Sequence, residues 1–293
     1  MKVVHADKIE AKMASAHRGG GSLRQRLIDG PPGSVEGYSL VLSRPQDRYS
    51  PRHRHNFEQF RYQVGGEADY SRTGTLKAGM IGYFPEGVHY GPQKQGKGQE
   101  LCVLTLQFGG ASGGGYPGRT AVLEATAELQ KLGTFKDGVF YRKPGLPGKK
   151  NLDSFQAVWE HLTGRPLTYP KPRYDVPVLM HPDNFEWVPV EGEPGAYEKV
   201  MGVFTERRSR AGFVKIDKGA SYTAGGGRDI FFVLSGTGKV GSDTYRKFSA
   251  VQLDPGETAV VKAKEATELL HFGLPNLADL AERQKHEAMQ AAE

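Results

Sequence analysis

The chain has 293 residues, 38% hydrophobic and 25% charged, with a net charge of +6, which gives room for two globular domains with cores of their own. A single cysteine, Cys102, excludes an internal disulfide framework. No run approaches the roughly 18 apolar residues of a membrane span, and Met1-Lys2-Val3-Val4-His5 lacks the apolar stretch of a secretory signal. A cytoplasmic protein is expected. Lys and Arg are scattered without an accompanying nucleic-acid motif, so neither nucleic acid nor membrane is expected as a partner.

Residues 1–34 are polar and glycine-rich and read as an N-terminal arm. Short apolar or alternating runs follow, at Tyr38 to Leu42, Phe57 to Val64, Met80 to Phe84 and Leu101 to Phe108. Turn residues separate them, in the spacing of a β-sandwich or barrel over residues 35–115. Gly109 to Gly115 reads as a linker. Residues 116–190 read as a connector with two helices. In the first, Val122, Ala125, Leu129 and Leu132 share a face. In the second, Asp153 and Gln156 form a capping box, Phe155, Val158, Trp159 and Leu162 share a face, and Gly164 and Pro166 end the helix. Strand patterns return over 191–275, at Val200 to Phe204, Gly212 to Ile216, Ile230 to Leu234 and Thr258 to Val261. A helix over 276–293, capped by Asn276, closes the chain.

An internal repeat supports two barrels. Gln59 to Gly66 aligns with Asp229 to Gly236, and each half then repeats a Leu-x-x-Gly turn, Leu76 to Gly79 and Leu253 to Gly256, and an apolar closing strand. The fold class expected is all-β, two tandem barrels with a few connecting helices and a C-terminal helix.

The sharpest chemical signal is Pro51-Arg52-His53-Arg54-His55-Asn56-Phe57-Glu58-Gln59, with His89 further on. Histidines at i and i+2 on a strand point the same way, so His53 and His55 can meet one ion. Pro85 and Gly87 turn the chain so that His89 can return toward them. Strand alternation leaves two registers open. Glu58 faces inward with Phe60 and Tyr62, or Gln59 faces inward with Arg61 and Gln63. The spacing to Gly66 and the repeat favour Gln59, which makes the cavity polar and suited to an anionic or hydroxylated small molecule.

These residues resemble the cupin superfamily, whose first motif is HxH, then Glu, then Gly, and whose second is Gly, PxG, then His. His53, His55, Gln59 and Gly66 fit the first, with Gln in the place of Glu; Gly79, Pro85 and Gly87 fit the second. His89 comes one residue early, and Tyr90 stands where the His is usual. The resemblance implies two jelly-roll barrels and one divalent first-row metal, Fe or Mn first and Zn, Ni or Cu after them. Its ligands would be His53, His55, Gln59 and His89. Arg61 would bind a substrate carboxylate or enolate, and Tyr62, Tyr83 or Tyr90 would supply a proton or a hydrogen bond. It further implies a small-molecule substrate, a homodimer, and a dioxygenase, with a non-oxidative lyase, isomerase or cyclase and a non-catalytic binding protein as alternatives. The second barrel carries Thr223, Gly225 and Ala266 at the positions matching the histidines, so its site is expected to be degenerate, with His271 a core histidine.

Overall fold

The computed structural model describes residues 1–15, 21–31, 33–46, 49–96 and 98–290. The chain divides into two compact units, one of Ala11–Leu179 with Asp279–Glu293, the other of Met180–Ala278 with Met1–Glu10. No helix among the described residues is long and apolar enough to cross a membrane.

The first unit is built on an antiparallel sheet in the order Val178–Met180, Ile81–Phe84, Glu58–Gly65, Cys102–Phe108, Tyr38–Gln46, Gly21–Asp29, Lys12–Ser15. Strand alternation sends Phe60, Leu104 and Leu106 into full burial, while polar side chains of the same strands turn to the other face. Gly66, at φ 73°, ends the central strand where a Cβ would lie 2.2 Å from the Glu100 carbonyl oxygen, so only glycine fits that turn.

The segment read as a connector belongs to this unit. It contains α1 (Arg119–Leu132), a three-stranded sheet (Gly133–Lys136, Val139–Arg142, Asn151–Asp153) and α2 (Ser154–Thr163). The shared apolar faces pack together through Val122, Ala125, Leu129 and Val158. Asp153 caps α2, accepting from the Phe155 and Gln156 N–H groups at 2.9 and 3.1 Å. The Gln156 side chain also donates forward to Glu160 at 2.8 Å. Gly164 closes α2 in the left-handed conformation, φ 64°.

The second unit repeats the plan. Its main sheet runs Lys2–His5, Ser249–Leu253, Asp229–Ser235, Thr267–Gly273, Arg210–Ile216, Ala196–Val203, Val188–Pro189. A four-stranded sheet of Ser221–Gly225, Thr258–Ala263, Gly238–Val240 and Asp243–Tyr245 completes it. Phe231, Val233, Val240, Leu253 and Leu269 fill the space between. The repeated strands are equivalent in context: Glu58–Gly65 lies beside Cys102–Phe108, and Asp229–Ser235 beside Thr267–Gly273. Gly66 and Gly236 end them with the same positive φ.

The expected N-terminal arm needs correction. Residues 1–34 are not an arm: Lys2–His5 pairs with Ser249–Leu253 in the second unit, and Lys12–Ser15 and Gly21–Asp29 extend the first sheet. Polar, glycine-containing edge strands carry little local signal, and their partners are remote in sequence. Residues 16–20 and 32 of that stretch, and 291–293 of the C-terminal segment, lie outside the described residues. The closing helix, α3 (Ala278–Gln290), is initiated by Asn276 Oδ1 accepting from the Ala278 N–H at 3.2 Å. It docks on the first unit, where Gln284 accepts from the Val35 N–H at 3.0 Å and donates to the Gly33 carbonyl at 3.1 Å.

Candidate functional site

The first barrel encloses a cavity of about 100 Å³. Gln59, Arg61 and Gln63 enter it from the central strand, and Val103, Thr105 and Gln107 from its neighbour. His53 and His55 lie at one end. Arg119 and Val122 of α1, Phe155 of α2 and Tyr116 close that end. Phe155 stands edge-on to His55 at 4.7 Å, and Phe57 packs on both Phe155 and Tyr116. Arg24 and Ser43 line the wall toward Gln63. Among the described lining residues there is no aspartate and no glutamate.

Glu58 is fully buried on the opposite face of its strand, where it accepts from the Ala111 N–H at 3.2 Å. Burial, followed by that carboxylate, pushes the pKa of Tyr83 far up, so Tyr83 is a neutral phenol of the packed face and not a group of the cavity. Tyr62 shares the face of Glu58 and does not line the cavity. Its expected catalytic place is therefore corrected: two residues of one strand an odd step apart cannot share a side, and Arg61 holds the inner one.

His89 is also corrected. The segment after Pro85 is pinned to the extended histidine segment by backbone bonds, His53 N–H to Tyr90 O at 3.1 Å, Tyr90 N–H to His53 O at 3.0 Å and Gly87 N–H to His55 O at 2.7 Å. That bridge sets Tyr90 opposite His53, so their rings meet at 4.5 Å and Tyr90 is buried at 1% exposure. His89, one residue earlier, faces the other way and is exposed. Partial desolvation and the nearby Arg54 and Arg52 hold its pKa below the ordinary histidine value.

The polar groups that meet inside form one network. Gln59 Oε1 accepts from Arg61 Nη2 at 2.8 Å, Arg61 Nε at 3.3 Å and Gln107 Nε2 at 3.3 Å. The Tyr90 hydroxyl accepts from Gln59 Nε2 at 2.9 Å and Arg61 Nη2 at 3.0 Å. Arg61 Nη1 donates to the Tyr70 hydroxyl at 2.8 Å. Tyr116 donates to Gln107 Oε1 at 3.1 Å, and burial pushes its pKa up to about 12, so it remains a phenol. The guanidinium lies 4.5 Å over Phe84 and 5.1 Å from the centre of Tyr90.

These residues test the fit of a cupin metal. His53 and His55 are close, ring centres 5.0 Å apart. His53 Nδ1 donates to the Pro51 carbonyl at 2.6 Å, which leaves Nε2 as the lone-pair nitrogen, the arrangement of a ligating imidazole. The other two places do not fit. The oxygen of Gln59 is covered by a guanidinium, and a divalent ion on the same oxygen would stand beside a fixed positive charge. The place of the third histidine is taken by Tyr90, itself engaged with Arg61. No group of three or more His, Cys, Asp or Glu able to hold a metal occurs among the described residues. The expected set of His53, His55, Gln59 and His89 is therefore not assembled.

Sequence reasoning placed Arg61 in this cavity but missed Arg119, Tyr116 and Phe155, which come from the segment read as a connector. The only available signal was the apolar face of each helix, which says that a helix packs but not on what.

The second barrel has no comparable constellation. Asp229 accepts from His271 Nε2 at 2.8 Å, and Arg210 approaches His271 Nδ1 at 3.2 Å. Burial lowers the His271 pKa despite the carboxylate, so a neutral imidazole bridges Asp229 and Arg210. Phe231 stacks on it at 4.2 Å. His271 is a satisfied core histidine.

No family model matches the chain, and no curated protein sequence matches it. Solved structures do. A "putative dioxygenase" from Nostoc punctiforme aligns over 94% of this chain and 83% of its own, with a TM-score of 0.63 and 12% identity. Oxalate decarboxylase of Bacillus subtilis, whose Mn(II) centres are described, aligns over 94% and 78%, with a TM-score of 0.52 and 14% identity. A bacterial pirin from Escherichia coli in complex with nickel(II) aligns over 94% and 98%, with a TM-score of 0.51 and 9% identity. At these identities the similarity speaks for architecture. Repeat, sheet order and alignment agree, and the chain has the two-barrel fold of the cupin superfamily.

Proposed function

We propose that the first barrel is an arginine-centred binding site for a small organic anion, a carboxylate in the first instance. The observation that carries this reading is the state of Arg61. Arg61 is buried, at 7% exposure, and its acceptors are an amide oxygen and two phenol oxygens, those of Gln59, Tyr70 and Tyr90. A buried charge is costly unless a counter-charge compensates it. Of its five N–H groups, one on Nη1 is left for a ligand. Arg119 adds a second cation from α1, and its Nη2 is buried with no partner among the described residues. With no carboxylate lining the cavity, the field inside favours an anion, and about 100 Å³ is far below the roughly 300–1,000 Å³ of pockets for drug-sized ligands. Titration calorimetry with acetate and butyrate on full-length protein dialysed against EDTA tests this. Binding is expected in wild type and lost in Arg61→Met; no binding in wild type overturns it.

A second reading is a metal-dependent cupin enzyme, a dioxygenase or a lyase. What favours it is the His53 and His55 pair with Nδ1 of His53 held by Pro51. A metal there would act as Lewis acid or bind dioxygen with substrate, but the remaining ligands would have to come from solvent and substrate. Stoichiometric metal in the purified protein, lost in His53→Ala, would favour this reading over the first.

A further inference from the structure

The anion reading leaves one group in the cavity unexplained. Gln63 is completely buried, at 0% exposure. Its Nε2 donates to the Gly65 carbonyl at 2.7 Å, which fixes the orientation of the amide. Its Oε1 is then an acceptor with no hydrogen-bond partner among the described residues, on a side chain that lines the cavity. A buried acceptor without a donor costs about as much as a lost hydrogen bond, and native interiors rarely keep one.

From this we infer, resting on the anion reading above, that the ligand is an aliphatic hydroxycarboxylate whose hydroxyl donates to Gln63 Oε1. The carboxylate belongs with Arg61, one of whose two Nη1 hydrogens is uncommitted. Gln63 follows Arg61 by two residues on the same strand and the same face, a step of about 7 Å. That separation suits a hydroxyl at the far end of a chain of about four carbons, and not one on the carbon next to the carboxylate. The donor is a hydroxyl and not an ammonium, because Arg24, Arg61 and Arg119 all line the cavity and a fourth positive group would enter a field already positive. The walls between the two ends, Val41, Val103 and Thr105, suit the methylenes.

The test is calorimetric titration of the full chain with butyrate, 4-hydroxybutyrate, 2-hydroxybutyrate and 4-aminobutyrate. The expected order has 4-hydroxybutyrate tightest, by about tenfold over butyrate, the worth of one buried hydrogen bond, with 2-hydroxybutyrate near butyrate and 4-aminobutyrate weakest. In Gln63→Met the ratio of the 4-hydroxybutyrate and butyrate affinities should fall toward one. If that variant does not fold, the ligand order in wild type decides alone. Equal affinity of wild type for butyrate and 4-hydroxybutyrate overturns the inference and leaves the anion reading standing, a bound water then serving Gln63. Tightest binding of 4-aminobutyrate overturns the choice of a neutral donor. Failure of all four to bind removes the anion reading itself.

Discussion

Arg61 and Tyr90 face each other across the first barrel, guanidinium Nη2 to phenol oxygen at 3.0 Å, at the place where a cupin of the resembled pattern would carry its third histidine. The contact puts a fixed organic cation on Gln59 and Tyr90, which stand in the places of the usual Glu and third His. The chemistry of the cavity follows from that exchange.

Restoring the missing imidazole should therefore not restore a metal site. Tyr90→His places a third histidine beside His53 and His55, but Arg61 still covers Gln59 Oε1. The single variant is expected to bind Zn or Mn no more than about twofold tighter than wild type, while Tyr90→His with Arg61→Met should gain at least about tenfold, the scale of removing an adverse neighbour of a ligand. Elemental analysis after dialysis against defined metal reads the difference. Stoichiometric metal in the single variant would contradict this account of Arg61.

His89→Ala should change nothing beyond the usual surface range of about 0.5 kcal/mol, in ligand affinity, metal content or denaturation midpoint. The side chain is exposed and points away from the cavity. A loss of metal or ligand binding would return His89 to the site.

The cavity residues separate what a sequence can tell from what it cannot. His53 and His55 were legible because an i, i+2 pair on a strand must share a face. Gln59, Arg61 and Gln63 were legible because Gly66 and its repeat partner Gly236 fix the register. Between His89 and Tyr90 no local pattern decides, because a turn follows Phe84 and breaks the alternation; the bridge of Tyr90 to His53 decides it. Arg119 and Phe155 were not legible. They sit on helices whose apolar faces are clear, but nothing local says that these helices close the barrel mouth. Nor does Lys2 to His5 announce that its partner strand lies at Ser249 to Leu253; pairing across nearly the whole chain is decided by packing.

The Arg61→Met variant separates binding from folding. Butyrate at about 100 times its Kd should stabilise wild type by about 2.7 kcal/mol, through binding to the native state alone, and should leave the variant's melting temperature unmoved. An equal upward shift in both proteins would place the anion elsewhere.

Stability should fall with acidification because of the second barrel. The His271 pKa is lowered from 6.5 by burial, with Arg210 adding to that and Asp229 opposing it. The folded state therefore binds fewer protons than the unfolded one below pH 6.5. Its contribution is complete above that value and is lost as pH falls toward the folded pKa. Asp229, lowered from 3.8 against its own desolvation by the His271 bond, keeps its contribution until pH drops through its folded value, further down. Urea midpoints at about pH 7.5, 6 and 5, which run from above to below the ordinary histidine value, should decline in wild type. In His271→Gln, whose amide can still donate to Asp229 and accept from Arg210, that part of the decline should vanish. Parallel declines would exclude His271 as the titrating group.

The most direct test is whether the first barrel binds a carboxylate without a metal. Full-length protein stripped with EDTA, its metal content checked by elemental analysis, is titrated with 4-hydroxybutyrate, and the titration is repeated after Mn(II) or Fe(II) is restored. The account predicts one site per chain with the same affinity in both cases, abolished by Arg61→Met. Binding that appears only with the metal restored, and survives Arg61→Met while disappearing in His53→Ala, would contradict it.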